Sequence, residues 1–240
     1  MIGKFIVFEG VEGGGKTTQI QLLRNWLLEQ KQSRELLSKL INLEVIVTRE
    51  PGGTKLGQAL RELLLNTDIS GEQIQERAEL LLYAADRSQH IENLIKPYLE
   101  KGAIVLCDRF TDSTLAYQGY GRGLDLELIQ KLNYIATGGL KSDLTFWLDI
   151  DVEIGLTRAK NRGKIDRMEQ ADIQFHKRVQ QGYQELAKGN PLIVRIDANL
   201  TTDKIQEKIQ EIMRKKLIEW VGRSSQESGV RSQENMVNMD

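Results

Sequence analysis

Gly10-Val11-Glu12-Gly13-Gly14-Gly15-Lys16-Thr17-Thr18 is the stretch from which the rest of the chain is read. It follows the apolar run Phe5-Ile6-Val7-Phe8 and opens a segment in which Ile20, Leu22, Leu23, Trp26 and Leu27 recur at helical spacing. Strand, glycine-rich turn and helix, in that order, are the context of a P-loop. The glycines let backbone N–H groups point inward at an anion without Cβ clashes, Lys16 brings a mobile positive charge among phosphates, and the Thr17 hydroxyl can ligate Mg²⁺. The bland alternative is a glycine-rich turn that merely precedes a helix; Gly10, Gly15, Lys16 and Thr17 standing together in register argue against it. The loop reports phosphate binding and leaves the reaction open, because several functional classes share it.

Composition bounds what surrounds that loop. The chain has 240 residues, 40% hydrophobic and 28% charged, enough for one sizeable core and a small lid. A formal net charge of −1 gives no reason to expect nucleic acid or an anionic membrane as partner. The lone Cys107 ends an apolar run, so it reads as a buried small hydrophobe in a reducing compartment. No apolar leader precedes the first strand and no apolar stretch is long enough to cross a bilayer, so the expectation is a soluble, cytoplasmic protein. His90 and His176 have no Cys or carboxylate framework at metal-ligand spacing, so no zinc site is expected.

Working outward from the P-loop, Val45-Ile46-Val47-Thr48, Ala103-Ile104-Val105-Leu106-Cys107, Leu144-Thr145-Phe146-Trp147-Leu148 and Leu192-Ile193-Val194-Arg195-Ile196 read as further buried strands. Five strands alternating with helices predict an α/β fold with a parallel sheet covered on both faces. In such sheets ligands bind at the carboxyl ends of strands. Two polar loops therefore matter: Arg49-Glu50-Pro51-Gly52-Gly53-Thr54, and Asp108-Arg109-Phe110, whose carboxylate can hold Mg²⁺ or its waters beside the P-loop. Thr54 is placed to cap a helix carrying Leu56, Leu60, Leu63 and Leu64. A longer helix is expected from Gln73 to about Lys96, with Pro97 ending or kinking it.

On that longer helix Tyr83 and Arg87 are four apart and share a face. A tyrosine there is more often core than ligand platform, and an arginine more often surface. Gln118 follows a polar stretch and offers a donor and an acceptor together, suited to a base edge. Asp125 caps a helix to about Thr137, closed by Gly138-Gly139, and Asp149 and Asp151 read as strand-end and cap residues. The segment 158–167 gathers Arg158, Lys160, Arg162, Lys164 and Arg167 around Gly163. Such a run is usually a solvated face; beside a triphosphate site it reads better as a basic lid, about 158–170. A helix from about Asp172 to Lys188 and a last one from Thr201 or Thr202 to about Val221 complete a single domain over 1–221. The Ser-, Gln- and Glu-rich stretch 222–240 is expected to be a disordered tail. The segment from Gln30 to Asn42 reads as a helical surface elaboration.

Taken together, Phe8-Glu9-Gly10 through Thr18, Thr48-Arg49-Glu50-Pro51-Gly52-Gly53-Thr54, Asp108-Arg109-Phe110 with Ser113, Ala116-Tyr117-Gln118-Gly119 and Asp166-Arg167-Met168-Glu169 resemble the bacterial thymidylate kinase family, over about Lys4 to Trp220. The resemblance implies the P-loop nucleoside monophosphate kinase fold, a homodimer, and transfer of the ATP γ-phosphoryl group to dTMP with Mg²⁺. It further implies that Lys16 and the loop residues Gly10, Val11, Glu12, Gly13, Gly14, Gly15, Thr17 and Thr18 hold ATP, with Thr17 and Asp108 serving the metal. Glu12 would face the deoxyribose 3′-hydroxyl, Arg49 and Arg109 would grip the acceptor phosphate, and Tyr83 would stack on thymine where many relatives have Phe. Arg87 and Gln118 would meet the base edge, and Ser113 would line the pocket. Arg162 would touch the transferring phosphoryl group and Arg158 would stack on adenine. Lys16, Asp108, Arg109 and Arg162 are then the catalytic set. The stretch 33–43 is longer than the usual link, and the tail has no counterpart in the pattern.

Two rival readings stay open at this level: a P-loop kinase for another nucleotide or small metabolite, against which the Arg-Glu-Pro-Gly-Gly loop speaks, and a P-loop GTPase switch, which normally carries an Asn-Lys-x-Asp motif that this chain lacks.

Overall fold

In the computed structural model, residues 3–32, 44–65, 73–163 and 167–237 are described, the side chains of 31–32 and 223–237 excepted. The apolar runs form five strands, β1 (Lys4–Glu9), β2 (Val45–Arg49), β3 (Ile104–Asp108), β4 (Leu144–Asp149) and β5 (Ile193–Asp197). They pair in the order β2-β3-β1-β4-β5, every pair parallel. The side-chain period of two sorts β1 between two cores: Ile6 and Phe8 join the larger cluster with Leu23, Leu27 and Phe146, while Phe5 and Val7 join Ile91, Ile95 and Val105 on the other face. A strand buried on both faces has no room for polar alternation, which is why the runs read as continuous.

The helices are α1 (Lys16–Gln32), α2 (Lys55–Leu65), α3 (Glu76–His90), α4 (Lys96–Glu100), the short α5 (Thr111–Thr114), α6 (Leu126–Thr137), α7 (Val152–Lys160), α8 (Ile173–Ala187) and α9 (Thr202–Val237). The caps expected at Thr54, Asp125 and Asp151 form, and Asp172 adds one that the sequence reading did not assign. Gly57 N–H donates to Thr54 Oγ1 at 3.0 Å and Leu128 N–H to Asp125 Oδ1 at 2.7 Å, Asp151 and Asp172 cap α7 and α8, and Gly138 closes α6 with φ 57°. Parallel register brings Glu9, Arg49 and Asp108 to one edge of the sheet, with Arg49 opposite Asp108. The strand order turns about β1, so the loop after β1 lies where the connections leave in opposite directions, the place where such sheets bind ligands.

At Pro97, where an end or a kink is expected, the helix does not end: a π turn over Ile91–Ile95 precedes α4, and the helix runs on to Glu100. Pro lacks an N–H, and a wider i→i+5 turn just before it absorbs the lost i→i−4 bond. The polar stretch after Phe110 is likewise helical, α5 running into a π-helical segment, Leu115–Gly121. The last helix does not stop at Val221, since α9 continues to Val237, so the backbone of 222–237 is helical rather than irregular. That stretch has no Pro, and its Gln, Glu and Arg residues are fair helix formers. The elaboration at 33–43, lid residues 164–166 and residues 238–240 lie outside the described residues.

Candidate active site

The P-loop folds back on its own lysine. Lys16 Nζ donates to the carbonyls of Gly10 and Val11, each at 2.9 Å. Burial first, then the neighbouring Arg109, pulls the Lys16 ammonium down to about 8. Gly13 adopts φ 71°, and a Cβ there would stand 2.0 Å from the Gly155 carbonyl oxygen, so only glycine lets the loop rest on the start of α7. Thr17 Oγ1 donates to Asp108 Oδ2 at 2.9 Å, which brings the first turn of α1 to the end of β3. Both groups are hard oxygen donors. Among the described residues no cluster of three or more His, Cys, Asp or Glu could hold a metal, so an ion here would draw its remaining ligands from phosphate and water, which is how Mg²⁺ is commonly bound.

Across from the loop stands Arg109, with φ 71°. A non-glycine residue in that region costs about 1–3 kcal/mol and persists only where its surroundings impose it. Here the backbone is held on both sides: Arg109 N–H donates to Phe8 O at 2.9 Å, and Glu9 Oε1 accepts from the N–H groups of Phe110 at 2.8 Å and Ser113 at 3.2 Å. Glu9 Oε2 also accepts from Ser113 Oγ at 2.6 Å and Tyr183 OH at 2.8 Å. Burial raises the Glu9 carboxyl, partly offset by those donors. So held, Arg109 turns its guanidinium back to the P-loop, donating to Glu12 Oε1 at 2.6 Å, Gly10 O at 3.1 Å and Tyr117 OH at 3.1 Å. Tyr117 OH in turn donates to Glu12 Oε2. Burial alone would raise Glu12, but Arg109 and Lys16 outweigh it and hold the carboxyl below its ordinary value. Glu12 is therefore an anion wedged between the two cations that any pair of phosphates would meet.

Arg87 is almost fully buried, at 2% exposure. It donates from Nε to Glu50 Oε2 at 2.7 Å and from its terminal nitrogens to Thr114 Oγ1 at 2.8 Å, Asn133 Oδ1 at 2.7 Å and Phe110 O at 2.9 Å. A guanidinium has five N–H groups, so nearly all of it is spent on protein. Glu50 Oε1 lies 3.0 Å from His90 Nδ1, and His90 Nε2 lies 2.6 Å from Thr48 Oγ1. Asp86 Oδ1 accepts from Gly52 N–H at 3.0 Å, and a Cβ on Gly53 would lie 2.3 Å from His90 Nε2. The glycines of the Arg-Glu-Pro-Gly-Gly loop thus let it seat directly on α3. The face shared by Tyr83 and Arg87 is in this sense divided, with Tyr83 half-buried toward the cleft and Arg87 locked beneath it.

Arg49, Tyr83, Ser113 and Gln118 line one cleft of about 970 Å³ together with Glu12, Lys16, Thr17, Thr18, Arg87, Asp108, Arg109, Arg158, Arg162 and the loop glycines 13–15. Gly10 and Val11 do not line it; Val11 joins the core and both offer carbonyls to Lys16. Gln118 is buried and already gives one amide N–H to Glu79 Oε1 at 2.8 Å. Arg158 donates to Ala198 O at 3.2 Å, and Arg162, 63% exposed, donates to Glu169 at 3.0 Å. Cys107 is buried with its thiol pushed well up by burial, as an inert core residue should be. Sequence reasoning assigned no role to Glu9, Glu50, Glu79, Tyr117 or Tyr183. At Glu9 alone a local feature was on view, an acidic residue directly after a wholly apolar run, though it reads equally well as a cap or a solvated strand end.

A profile of the thymidylate kinase family matches residues 8–209. The thymidylate kinase of Trichodesmium erythraeum (strain IMS101) is 76% identical over 222 residues, covering 92% of this chain and 99% of that relative. That of Nostoc punctiforme is 57% identical over 216 residues, covering 89% and 97%. Among solved structures, the thymidylate kinase from Ehrlichia chaffeensis superposes with a TM-score of 0.68 at 35% identity, covering 88% of this chain and 98% of that one.

Proposed function

Since the chain belongs to the thymidylate kinase family and transfers a phosphoryl group from ATP to dTMP, we propose that its two phosphate sites are the P-loop, for the donor, and the Arg49–Arg109 edge, for the acceptor. One observation carries this assignment: Arg109 and Lys16 line one cleft with Glu12 and both hold its carboxyl charged, so phosphates drawn to each would meet. Lys16, with the loop amides, holds the ATP phosphates. Thr17 and Asp108 hold Mg²⁺, which when bound supplies positive charge to the phosphate oxygens. A phosphate monoester is mostly dianionic near neutral pH, so the dTMP oxygen needs no general base, and the protein's task is to position it and to meet developing charge. Arg162 leaves Glu169 to meet that charge, and Arg158 stacks on adenine. Glu12 keeps lone pairs for the 3′-hydroxyl. Tyr83 stacks on thymine and Gln118 reads its edge, while Arg87 holds the pocket floor with one N–H left over.

The unit that does this spans 1–221 with its lid at 158–170, in a cytoplasmic homodimer. Among the described residues no helix is long and apolar enough to cross a membrane. In favour of the dimer, α6 leaves Leu128, Tyr134 and Ile135 at 52, 69 and 75% exposure, with Tyr134 and Ile135 lining a shallow groove; such faces mark protein contacts. Sedimentation should give twice the chain mass, and Ile135→Glu should shift it toward the monomer.

The base assignment is tested by ADP release with a panel of nucleoside monophosphates. A pocket of buried polar groups should favour dTMP over dCMP and dGMP by roughly 10⁴ in kcat/KM. Equal rates would remove Tyr83, Arg87 and Gln118 from base recognition.

A further inference from the structure

Glu79 is 1% exposed and has no part in the roles above. It stands in the first turn of α3, and its two oxygens face different ways. Oε1 accepts from Gln118 Nε2 at 2.8 Å. Oε2 accepts from Arg167 and lies 3.5 Å from a terminal nitrogen of Arg122. Arg167 is fixed from the other side as well, its Nε donating to Leu64 O at 2.8 Å and its backbone N–H to Leu65 O at 3.2 Å. Met168, the next residue, is 4% exposed and belongs to the main core. Glu169 then accepts from Arg162 at 3.0 Å. A contiguous series of contacts thus leads from Gln118, through one buried carboxylate, to Arg162.

We propose that Glu79 is a positioning residue that couples the two substrate sites, so that thymine held by Gln118 sets the Arg167–Glu169 turn and, through it, Arg162. A carboxylate is planar and rigid, so fixing one oxygen fixes the direction of the other. Gln118, at 2% exposure, has no solvent to replace a lost partner, and Arg167, at 18%, has little. Occupying the acceptor site therefore restrains the Arg167–Glu169 turn on which the donor-side arginine rests, and binding the first substrate prepares the site for the second. By linkage the effect is reciprocal.

This rests on the reading of Gln118 as a thymine contact, and the test separates the two. The dissociation constant of a β,γ-imido ATP analogue is measured by calorimetry with and without saturating dTMP. In the unaltered protein dTMP should tighten the analogue by about fivefold or more, the lower end of ordinary site-to-site coupling. In Glu79→Gln, which keeps the shape but not the charge, that ratio should fall toward one with the affinity for analogue alone unchanged, while the melting temperature drops because the buried ion pair to Arg167 is lost. A ratio of one in the unaltered protein, or a full ratio in Glu79→Gln, overturns the coupling. Should Glu79→Gln fold poorly, Arg167→Lys carries the same expectation, since an ammonium cannot serve Leu64 O and Glu79 in the same geometry. Gln118→Ala, measured for dTMP alone, tests the underlying reading: unchanged dTMP affinity there discards the thymine contact, whereas weakened affinity together with a full ratio in Glu79→Gln discards only the linkage.

Discussion

Arg87 and Arg162 line the same cleft and are held in opposite ways. Arg87, at 2% exposure, is bonded to residues 23, 27, 37 and 46 positions away. Arg162, at 63%, has one ion pair among the described residues, to a residue 7 positions away. On the assignment proposed above, the acceptor side is a fixed mould built from many elements, and the donor side is local and loosely held, apart from the P-loop itself. The contrast fits the chemistry, because a base is chosen by rigid polar complementarity, while a charge that develops during transfer is met by a group free to approach it.

Arg162→Ala should show the largest effect. Turnover should fall by roughly 10³ or more, the scale of an arginine finger, with the KM for dTMP little changed because the lost contact belongs to the transition state. The melting temperature should stay put, since an exposed ion pair contributes about 0–1 kcal/mol. Arg162→Lys should rescue in part. Near-normal turnover in the alanine variant would move the role to Arg158 or Arg167, which steady-state kinetics on those variants would show.

Arg87→Met should behave in the opposite manner. It leaves Glu50 buried with His90 as its remaining side-chain neighbour among the described contacts. Breaking a buried ion pair on one side costs about 3–5 kcal/mol, so denaturant unfolding should reveal a large loss of stability. If Arg87→Met unfolds like the unaltered protein but loses dTMP selectively, the division between mould and mobile group is wrong.

A smaller effect should appear at Lys16. Its value of about 8 in the folded chain lies below the ordinary 10.5. The unfolded chain then binds more protons between those two values, and this group's contribution to stability rises with pH across that window. Phosphates placed on Lys16 restore its charge, so ATP binding near pH 8.5 should take up a fraction of a proton. Calorimetry in buffers of different ionisation enthalpy reads that uptake directly, and Lys16→Ala should abolish it.

Much of this was legible in the sequence wherever a feature is made by neighbours in the chain. The P-loop, the five strands, the caps at Thr54, Asp125 and Asp151, and the strand-end residues Arg49 and Asp108 all follow from apolar period, glycine placement and short spacing. What stayed hidden depends on partners far apart. Glu9 binds Tyr183 across 174 positions, Arg109 meets Glu12 across 97, and Glu79 meets Arg167 across 88. No local pattern marks such a carboxylate as buried rather than solvated, since an acidic residue beside a helix start or strand end reads equally well as a cap. The π turns before Pro97 and Arg122 were hidden for the same reason, being set by the packing around them and not by propensity.

By itself, then, the sequence determined that this chain binds phosphates at the carboxyl edge of a parallel sheet, because a strand, a glycine loop and a helix are fixed by interactions within a few residues of one another. Only the tertiary structure decided which arginine is locked and which is loose, and which carboxylate lies between Gln118 and Arg167. A charged group's state depends on desolvation and on partners within hydrogen-bond reach, and in this chain those partners come from opposite ends of the fold.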